Sequence, residues 1–549
     1  MAAIFYDPDH YSTAGPRLMG RNAAGESFLR AYFRHGRAET HWAYVDTESH
    51  GASFRQAVAA AGRAEPVRIA GRADLRDLKQ AGVLYKPDPT LPVEAWRRAM
   101  FGDASWSLCG ITHATSSARV MDSIAELLTA PLQPWDALIC TSEAVKGNVS
   151  RVLDAAADHL ARRLGTRPAP LLQLPVIPLG IHTDDHAFDA GARAAARRGL
   201  GADDDTIVVL YLGRLSAHAK AHPLAMYRAL QMASKGLAAG QRVMLVECGW
   251  FSSDATARAF ARAAALVCPG VTLRHLDGRQ AEARDQAWAA ADIFCSLADN
   301  FQESFGLVPI EAMAAGLPVV VSDWSGYRES VRDGIDGLLI PTLIPPPGTG
   351  EVFAIRHAVG IDDYDAYSGY AGAHVAVDID ACAHAFSTLF ASADLRRRMG
   401  AAGKARARAV YDWQVIIPRY EALWAEQDAI RLAHPVGRNL SPWPARLDPF
   451  HAFEGYASRT LDAESRFVLT DADLASAIAR LGDYLGLGIV KYTLAVSLPK
   501  AGLEAILTAV AAAPRTTGQI AARFPSGAAG LVIRSVVFLL KLGLIRIKA

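Results

Sequence analysis

The sequence is poor in cysteine, and its six cysteines form no Cys-x-x-Cys pair. They are scattered over 549 residues, and several lie in apolar runs with the character of strands. A zinc ribbon or a disulfide framework needs closely spaced cysteines, so neither is expected here. The pattern favours buried thiols in a reducing compartment, which predicts a cytoplasmic protein.

Long apolar runs and an excess of charge are also missing. No uncharged apolar run reaches the roughly 18 residues of a membrane span, and the first residues, MAAIFYDPDH, lack the pattern of a signal peptide. The net charge of +1 gives the whole chain no general attraction to nucleic acid or membranes. With 51% hydrophobic and 21% charged residues, the composition is typical of a folded protein with about two to four domains.

Hydrophobic periodicity divides the chain into segments. Short apolar runs alternate with helical patterns over residues 1–173 and again over 174–427, which predicts two doubly wound α/β domains. Residues 343–376 have no clean period and are expected to form an irregular insertion. Residues 428–456, rich in proline, are predicted to be a linker. Residues 457–549 are predicted to form a small, mostly helical module that resembles a winged helix. In the first domain, strands are predicted at 3–6, 41–46, 67–70, 108–112 and 137–141.

The most informative stretch is 292–342, where two apolar strands flank an apolar helix. Glu303 precedes this helix and Glu311 lies inside it, about 12 Å further along if both were helical. A buried carboxylate is costly unless something pairs with it, so the two acids are expected to hold two parts of one elongated ligand. Between them, backbone N–H groups at the helix start would bind an anion. These amides belong to Ser304, Phe305, Gly306 and Leu307. An anion flanked by two hydroxyl-binding acids describes a nucleotide-diphosphate sugar; the alternative is a buried helix whose acids bond to protein groups.

The motif Glu303-x7-Glu311 resembles the signature of family 4 retaining glycosyltransferases. The resemblance includes SFGL between the two acids and EAMAAGLPVV, which begins at the second acid. The resemblance extends over about residues 1–427 and is strongest from 212 to 342. It implies the GT-B fold, in which two Rossmann-like domains face a cleft and a helix at 413–427 crosses back to the N-terminal domain. It also implies retaining transfer of a sugar from a nucleotide-diphosphate sugar to a glycan, lipid or small-molecule acceptor. In this resemblance Glu311 would hold the ribose and Glu303 the sugar.

Arg214 and Lys220 follow the first strand of the second domain. Two cations at the carboxyl end of a strand can neutralise a departing diphosphate without a metal ion. Their Gly-Arg-Leu…Lys pattern resembles the phosphate-binding pair of the family, in which the lysine commonly comes one residue earlier; the alternative is a solvated loop. Metal-ligand spacing is missing elsewhere, and Asp203-Asp204-Asp205 has the position of an ordinary turn. We therefore expect no metal requirement and no further cofactor.

Two features of the first domain are weaker candidates. Gly20 and Gly25 stand before a helix, where glycine permits close approach of the backbone to a ligand, and the family places a glycine-rich loop there. The alternative is a simple helix start. His113 follows a strand at the sheet edge where ligands bind, and the family has a histidine there that contacts the donor sugar. A lone histidine is otherwise more often structural.

Other functions remain open from the sequence alone. A nucleotide-sugar epimerase of the same fold, or a non-catalytic scaffold that binds nucleotide sugars, is the alternative; a glycoside phosphorylase would need a pyridoxal-phosphate lysine motif, which is missing. In the tail, the helix at 530–542 offers few polar side chains for reading bases, so self-association or protein docking through 457–549 is expected rather than nucleic-acid binding. Seven cations against one acid over 500–549 keep DNA and peripheral contact with an anionic membrane as alternatives.

Overall fold

The computed structural model of the chain describes residues 1–13, 20–434 and 443–548. It divides into two compact units, Met1–Trp443 and Pro444–Ala549. The first unit holds two six-stranded sheets whose strands are all parallel. The predicted fold class, two doubly wound α/β domains followed by a small helical region, is therefore confirmed.

The N-terminal domain is built on short, buried strands in the order β3-β2-β1-β4-β5-β6. These are β1 Ala2–Phe5, β2 His41–Tyr44, β3 Val67–Ala70, β4 Val83–Lys86, β5 Ser107–Ile111 and β6 Ala137–Ile139. The helices are α1 Gly20–His35, α2 Glu48–Ala60, α3 Leu78–Ala81, α4 Leu91–Ala99, α5 Ala118–Glu126 and α6 Glu143–Leu164. The sequence pattern does not reveal β4, because its four-residue run ends in a lysine. Lys86 is nevertheless buried, and its ammonium lies 2.5 Å from a carboxylate oxygen of Asp88.

The second domain repeats this topology in the order β9-β8-β7-β10-β11-β12. Its strands are β7 Thr206–Leu212, β8 Arg242–Gly249, β9 Thr272–Asp277, β10 Ile293–Ser296, β11 Val319–Ser322 and β12 Gly337–Ile340. The helices up to β12 are α7 Ala190–Leu200, α8 Pro223–Ser234, α9 Asp254–Val267, α10 Ala281–Ala290, α11 Leu307–Ala314 and α12 Tyr327–Ser330. Because both sheets are parallel, their loops at the strand carboxyl ends are the ones that can carry a ligand site.

Local sequence explains where many of these helices begin and end. Ser142 accepts a hydrogen bond from the Val145 amide and so caps α6, and Ser253 caps α9 in the same way. Gly165 and Gly201 adopt left-handed conformations just after α6 and α7, where a residue with a Cβ would be strained. The strands between these helices are short Val- and Leu-rich runs that become buried when both faces of the sheet are covered.

The prediction of an irregular insertion at 343–376 is wrong. Strands β13 Thr342–Leu343 and β14 Ala376–Val377 pair antiparallel, and between them lie helices α13 Glu351–Ala358 and α14 Tyr364–Gly372. The segment escapes detection in the sequence because each helix is short and carries polar residues among its apolar ones, so neither shows a clear period.

The end of the first unit crosses back onto the N-terminal domain, as expected. The chain continues through α15 Ile379–Ala391, α16 Ala393–Arg406 and a π-helical turn Ala407–Tyr411 into α17 Trp413–Ala433. The indole of Trp413 donates to Ser27 Oγ at 2.7 Å, and the amide of Gln427 donates to the Leu108 and Trp135 carbonyls. Because α17 extends to Ala433, the predicted linker cannot begin at 428. Residues 435–442 of that linker lie outside the described residues.

The second unit has its own apolar core. Its elements are α18 Pro449–Ala452, β15 Arg466–Leu469, α19 Leu474–Gly486, α20 Gly488–Lys491, α21 Lys500–Ala512, β16 Arg515–Thr516, α22 Thr517–Ala521, α23 Ala529–Lys541 and β17 Ile545–Ile547. The strands form an antiparallel sheet in the order β16-β15-β17. The last five elements, α21, β16, α22, α23 and β17, follow the order helix, strand, two helices, strand. This order is compatible with the winged-helix-like prediction. Among the described residues, no single helix combines the length and apolar composition of a membrane span, although the bent pair Gly488–Ala495 and Lys500–Ala512 together meets that test.

Candidate functional site

The candidate residues gather where three parallel strands of the first unit end. Arg214 and Lys220 lie in the loop after β7, Glu303 lies in the loop after β10, and His113 follows β5 of the other domain. The two sheets are separate, so this cluster is formed by the meeting of two domains. Glu311 belongs to the same region because α11 directly follows the β10 loop.

The structure pairs two of the predicted residues directly. Lys220 Nζ lies 3.2 Å from Glu303 Oε2, and the Glu303 side chain is 11% exposed. Asn300, which is buried, holds both loops: its amide nitrogen donates to the Lys220 carbonyl, and its Oδ1 accepts from the Gln302 and Glu303 amides. A diphosphate and the sugar attached to it are neighbours in a donor molecule, so a fixed cation beside a fixed carboxylate matches that arrangement.

Helix α11 begins at a glycine that no other residue could replace without rearrangement. Gly306 has φ +86°, and a Cβ there would come 1.9 Å from the ring of Tyr327. The close packing of Tyr327 on this turn fixes the direction in which the first amides of α11 point. Gly306, at the N-cap, has no side chain with which to cap the helix start. These amides are therefore candidates for an anion, as the sequence suggested.

Glu311 lies one turn inside α11 and is half-buried. Loss of hydration raises the pKa of its carboxyl, while the positive charges of His186, Arg284 and Lys220 act in the opposite direction. The two acids of the motif thus have different surroundings. Glu303 forms an ion pair with Lys220. Glu311 interacts with several cations at longer range, so its carboxylate oxygens are available to accept hydrogen bonds from two neutral hydroxyls.

The segment between the two acids also joins the domains. Ser304 Oγ donates to the His113 carbonyl, and the Ser304 carbonyl accepts from Ser142 Oγ at 2.8 Å. Phe305 is buried, with its ring 6.1 Å from that of Tyr411, so only its backbone can serve a ligand. Leu307 is half-buried at the first position of α11.

The loop that carries Arg214 is held by close backbone packing. A Cβ on Gly249 would lie 2.0 Å from the Gly213 carbonyl oxygen, so the ends of β7 and β8 require glycine here. Arg214 follows directly and is half-buried, and its carbonyl accepts a hydrogen bond from the Tyr211 hydroxyl at 3.3 Å. Burial raises the pKa of Tyr364, and the positive charge of Arg214 weakly opposes this rise. Arg214 and Lys220 are thus presented by one loop at one strand end.

The three candidate residues of the N-terminal domain, Gly20, Gly25 and His113, have different surroundings. Gly25 is accounted for by packing, because a Cβ there would come 2.0 Å from the His10 carbonyl oxygen. Gly20 opens α1, and a Cβ there would meet no described atom within 4 Å, so a ligand could approach it. His113 is half-buried and is drawn into the cluster through its carbonyl, which bonds to Ser304.

Three groups that the sequence pattern does not single out belong to this site. Asn300 organises both loops, and Ser116 and Tyr364 form a hydrogen bond between the domains. A polar pair shortly after an apolar run, as in 299–300, is the available signal for Asn300 in the sequence. Ser116 and Tyr364 leave no such signal, because their hydrogen bond joins a loop and a helix start that are 248 positions apart in the sequence.

An acid of the second domain also caps a helix of the first. Glu329 accepts hydrogen bonds from the Glu143 and Ala144 amides at the start of α6. The Glu329 carboxylate is therefore used in a contact between the two domains.

Burial raises the pKa values of two further acids near the site. Burial raises the pKa of Asp299 to about 7, although the His222 amide donates to its carboxylate. Burial likewise raises the pKa of Glu247, at the end of β8, to about 7, and the Tyr227 hydroxyl donates to it at 2.5 Å. Within the parts of the chain that the structure describes, no three His, Cys, Asp or Glu side chains are grouped to hold a metal ion.

In comparison with known proteins, the second domain is similar in sequence to glycosyltransferases. Residues 192–343 match the family described as "Glycosyl transferases group 1". A D-inositol 3-phosphate glycosyltransferase of Geodermatophilus obscurus is 31% identical over 252 residues, which are 46% of this chain and 54% of that protein. One of Kribbella flavida is 29% identical over 272 residues, 45% of this chain and 62% of that protein. The matches thus span between half and two thirds of these relatives.

Solved structures show the fold of the first unit. The structure described as Anabaena Alr3699/HepE in complex with UDP covers 77% of this chain and 99% of its own, with a TM-score of 0.51 at 15% identity. A glycosyltransferase from Rickettsia africae covers 78% of this chain and 98% of its own, with a TM-score of 0.50 at 11% identity. Together with the two facing parallel sheets, these likenesses show that the chain has the GT-B fold.

Proposed function

We propose that the protein is a retaining glycosyltransferase that moves a sugar from a nucleotide-diphosphate sugar to an acceptor hydroxyl. The observation that carries the proposal is the Lys220–Glu303 pair at the strand ends of a GT-B cleft, 3.2 Å apart and beside the start of α11. The match of residues 192–343 to a glycosyltransferase family supports it. The acceptor is proposed only as a class: a glycan, a lipid or a small molecule with a free hydroxyl.

Each residue has a role in this proposal. Arg214 and Lys220 bind the diphosphate and neutralise the charge that develops as the glycosidic bond breaks. The amides at the start of α11 add partial positive charge at the same place. Glu311 binds the ribose hydroxyls. Glu303 and His113 orient the sugar so that the acceptor oxygen approaches the face from which the diphosphate leaves.

The chemistry needs no further group from the chain. The acceptor oxygen bonds to the anomeric carbon, the bond from that carbon to the diphosphate oxygen breaks, and the acceptor proton passes to the departing phosphate. Cationic side chains and helix amides act on that phosphate, where the negative charge grows, which is where fixed charges lower a barrier most. We accordingly propose turnover without a divalent ion.

Binding of nucleotide sugars is the first test. Thermal unfolding of the full chain is measured with UDP, GDP and ADP sugars; UDP sugars come first because a neighbour of the same fold is described as binding UDP. A ligand at 100 times its Kd should stabilise by about 2.7 kcal/mol. Glu311→Gln should weaken that effect, whereas Glu282→Gln, an exposed change on α10, should not.

The products then separate the proposal from its alternatives. Release of the nucleoside diphosphate together with a sugar-bearing acceptor supports transfer. An epimerised sugar still attached to its nucleotide would identify an epimerase. Binding without any conversion, across a panel of acceptors, would identify a non-catalytic scaffold, and absence of binding across all three bases would refute the proposal altogether.

A further inference from the structure

The insertion between β12 and α15 packs against the loops that carry the candidate site. Two glycines of α14 make this contact close. A Cβ on Gly369 would lie 3.0 Å from the Cβ of His218, in the loop of Lys220. A Cβ on Gly372 would lie 3.2 Å from the Asp299 carbonyl oxygen, beside Asn300. One face of α14 therefore rests on both loops that position the Lys220–Glu303 pair.

The first residue of α14 reaches the other domain. Tyr364 is half-buried, and its hydroxyl lies 3.0 Å from Ser116 Oγ. Ser116 is buried and stands three residues after His113, in the loop after β5. On the side of the second domain, Arg214 lies close enough for its charge to oppose weakly the rise in the pKa of the Tyr364 phenol that burial causes. Tyr364 thus lies between the proposed phosphate-binding loop and the proposed sugar-binding loop.

Hydrogen bonds within the insertion connect α13 with the start of α14. Asp363 caps α14 by accepting from the Ala366 amide at 2.8 Å. Asp362 is buried and forms two hydrogen bonds with the guanidinium of Arg356 on α13, at 2.8 and 2.7 Å. Both acids are therefore used within the insertion, Asp362 in an ion pair and Asp363 in a helix cap.

We propose that α14 covers the donor site and that Tyr364, bonded to Ser116, is a positioning residue that keeps water away from the donor sugar. This inference rests on the proposed function and deepens it, because it names what decides between transfer and hydrolysis. In hydrolysis a water oxygen bonds to the anomeric carbon, the bond to the diphosphate oxygen breaks, and a water proton passes to the phosphate. A cover across the cleft lowers the access of water while an acceptor that fills the cleft still reacts.

Hydrogen exchange of the full chain, with and without UDP-glucose, tests whether α14 lies over the bound donor. Protection by the ligand is expected in residues 214–220, in 303–311 and in 364–372. Protection of the first two segments with none in 364–372 would overturn the cover while leaving the proposed function standing. No protection in any of the three segments, repeated with GDP- and ADP-glucose, would overturn the proposed function and this inference with it.

Variants test the role of the hydroxyl. Tyr364→Phe and Ser116→Ala each remove one partner of the bridging hydrogen bond and little volume. Each should raise the release of UDP from UDP-glucose without acceptor by about fivefold, the factor that one net hydrogen bond supplies, while affinity for UDP stays within about twofold. The double variant should match either single variant rather than their product, because both remove the same bond.

Tyr370→Phe is the matched control, since Tyr370 lies on the same helix with its side chain exposed. It should leave hydrolysis unchanged. Equal hydrolysis in wild type, Tyr364→Phe and Ser116→Ala, with normal UDP affinity in all three, would overturn the role of Tyr364. An increase of the same size in Tyr370→Phe would also overturn it, because general loosening of α14 would then be the cause.

Discussion

The buried carboxyl of Glu247 predicts a specific dependence of stability on pH. Glu247 is 2% exposed, and burial raises its pKa from 4.5 to about 7. Three titratable groups interact with the Glu247 carboxyl. Tyr227 donates a hydrogen bond to it, and the charge of Glu247 adds to the rise that burial causes in the pKa values of Tyr211 and Cys268. Substitution to glutamine keeps the shape and the oxygen that accepts from Tyr227, but it removes the titration.

The sign follows from proton binding. Between pH 4.5 and 7 the folded protein keeps a proton on Glu247 that the unfolded chain has lost. The free energy of unfolding of the wild type therefore falls as pH rises through this window. A pKa shift of about 2.5 units corresponds to about 3 kcal/mol in full, of which about 2.5 kcal/mol accrues between pH 5 and pH 8. Glu247→Gln lacks this titration. From pH 5 to pH 8 its free energy of unfolding, relative to that of wild type, should therefore rise by about 2.5 kcal/mol.

Urea unfolding of both proteins at pH 5 and pH 8, followed by tryptophan fluorescence, measures this difference. Only the change with pH is compared, because the glutamine amide nitrogen adds a constant cost in the apolar surroundings. Glu282→Gln, an exposed change in the same domain, should show no such change with pH. The reasoning is refuted if the stability of Glu247→Gln relative to wild type changes by less than about 0.5 kcal/mol between the two pH values, well below the expected shift.

Three further predictions concern the proposed activity. Glu311→Gln and Arg214→Ala should each lower turnover by about 100- to 1,000-fold with unchanged circular dichroism, and near-normal kcat in both would remove them from the site. Turnover should persist in EDTA, because in the proposed site Arg214, Lys220 and the start of α11 would neutralise the diphosphate; complete loss that Mg²⁺ reverses would contradict this. Residues 1–443, which form a compact unit, should keep donor binding but lose a self-association measurable by light scattering; an unchanged mass with and without the tail would count against that role.

The alternation of apolar runs with helical patterns is enough to predict both α/β domains. Strands buried on both faces must be short and apolar, and such runs stand out in a sequence. The same local logic locates α11, since its apolar surface, the glycine before it and the Gly316-Leu317-Pro318 break all lie within a few residues. It fails for β4 and for the 343–376 helices, whose polar residues interrupt the apolar pattern and so leave no local period.

The candidate site residues are predicted by their type and by their place at strand ends, and only the tertiary structure decides which of them contact one another. Lys220 and Glu303 are 83 positions apart, and Ser116 and Tyr364 are 248 apart. No local pattern reports that β7 and β10 become neighbours in one sheet, which brings Lys220 to Glu303. Nor does it report which loops of the two sheets meet, because that depends on how the domains pack and on α17 crossing back. Gly25 shows the converse: its sequence context suggested a ligand, while the packed structure gives it a neighbouring carbonyl.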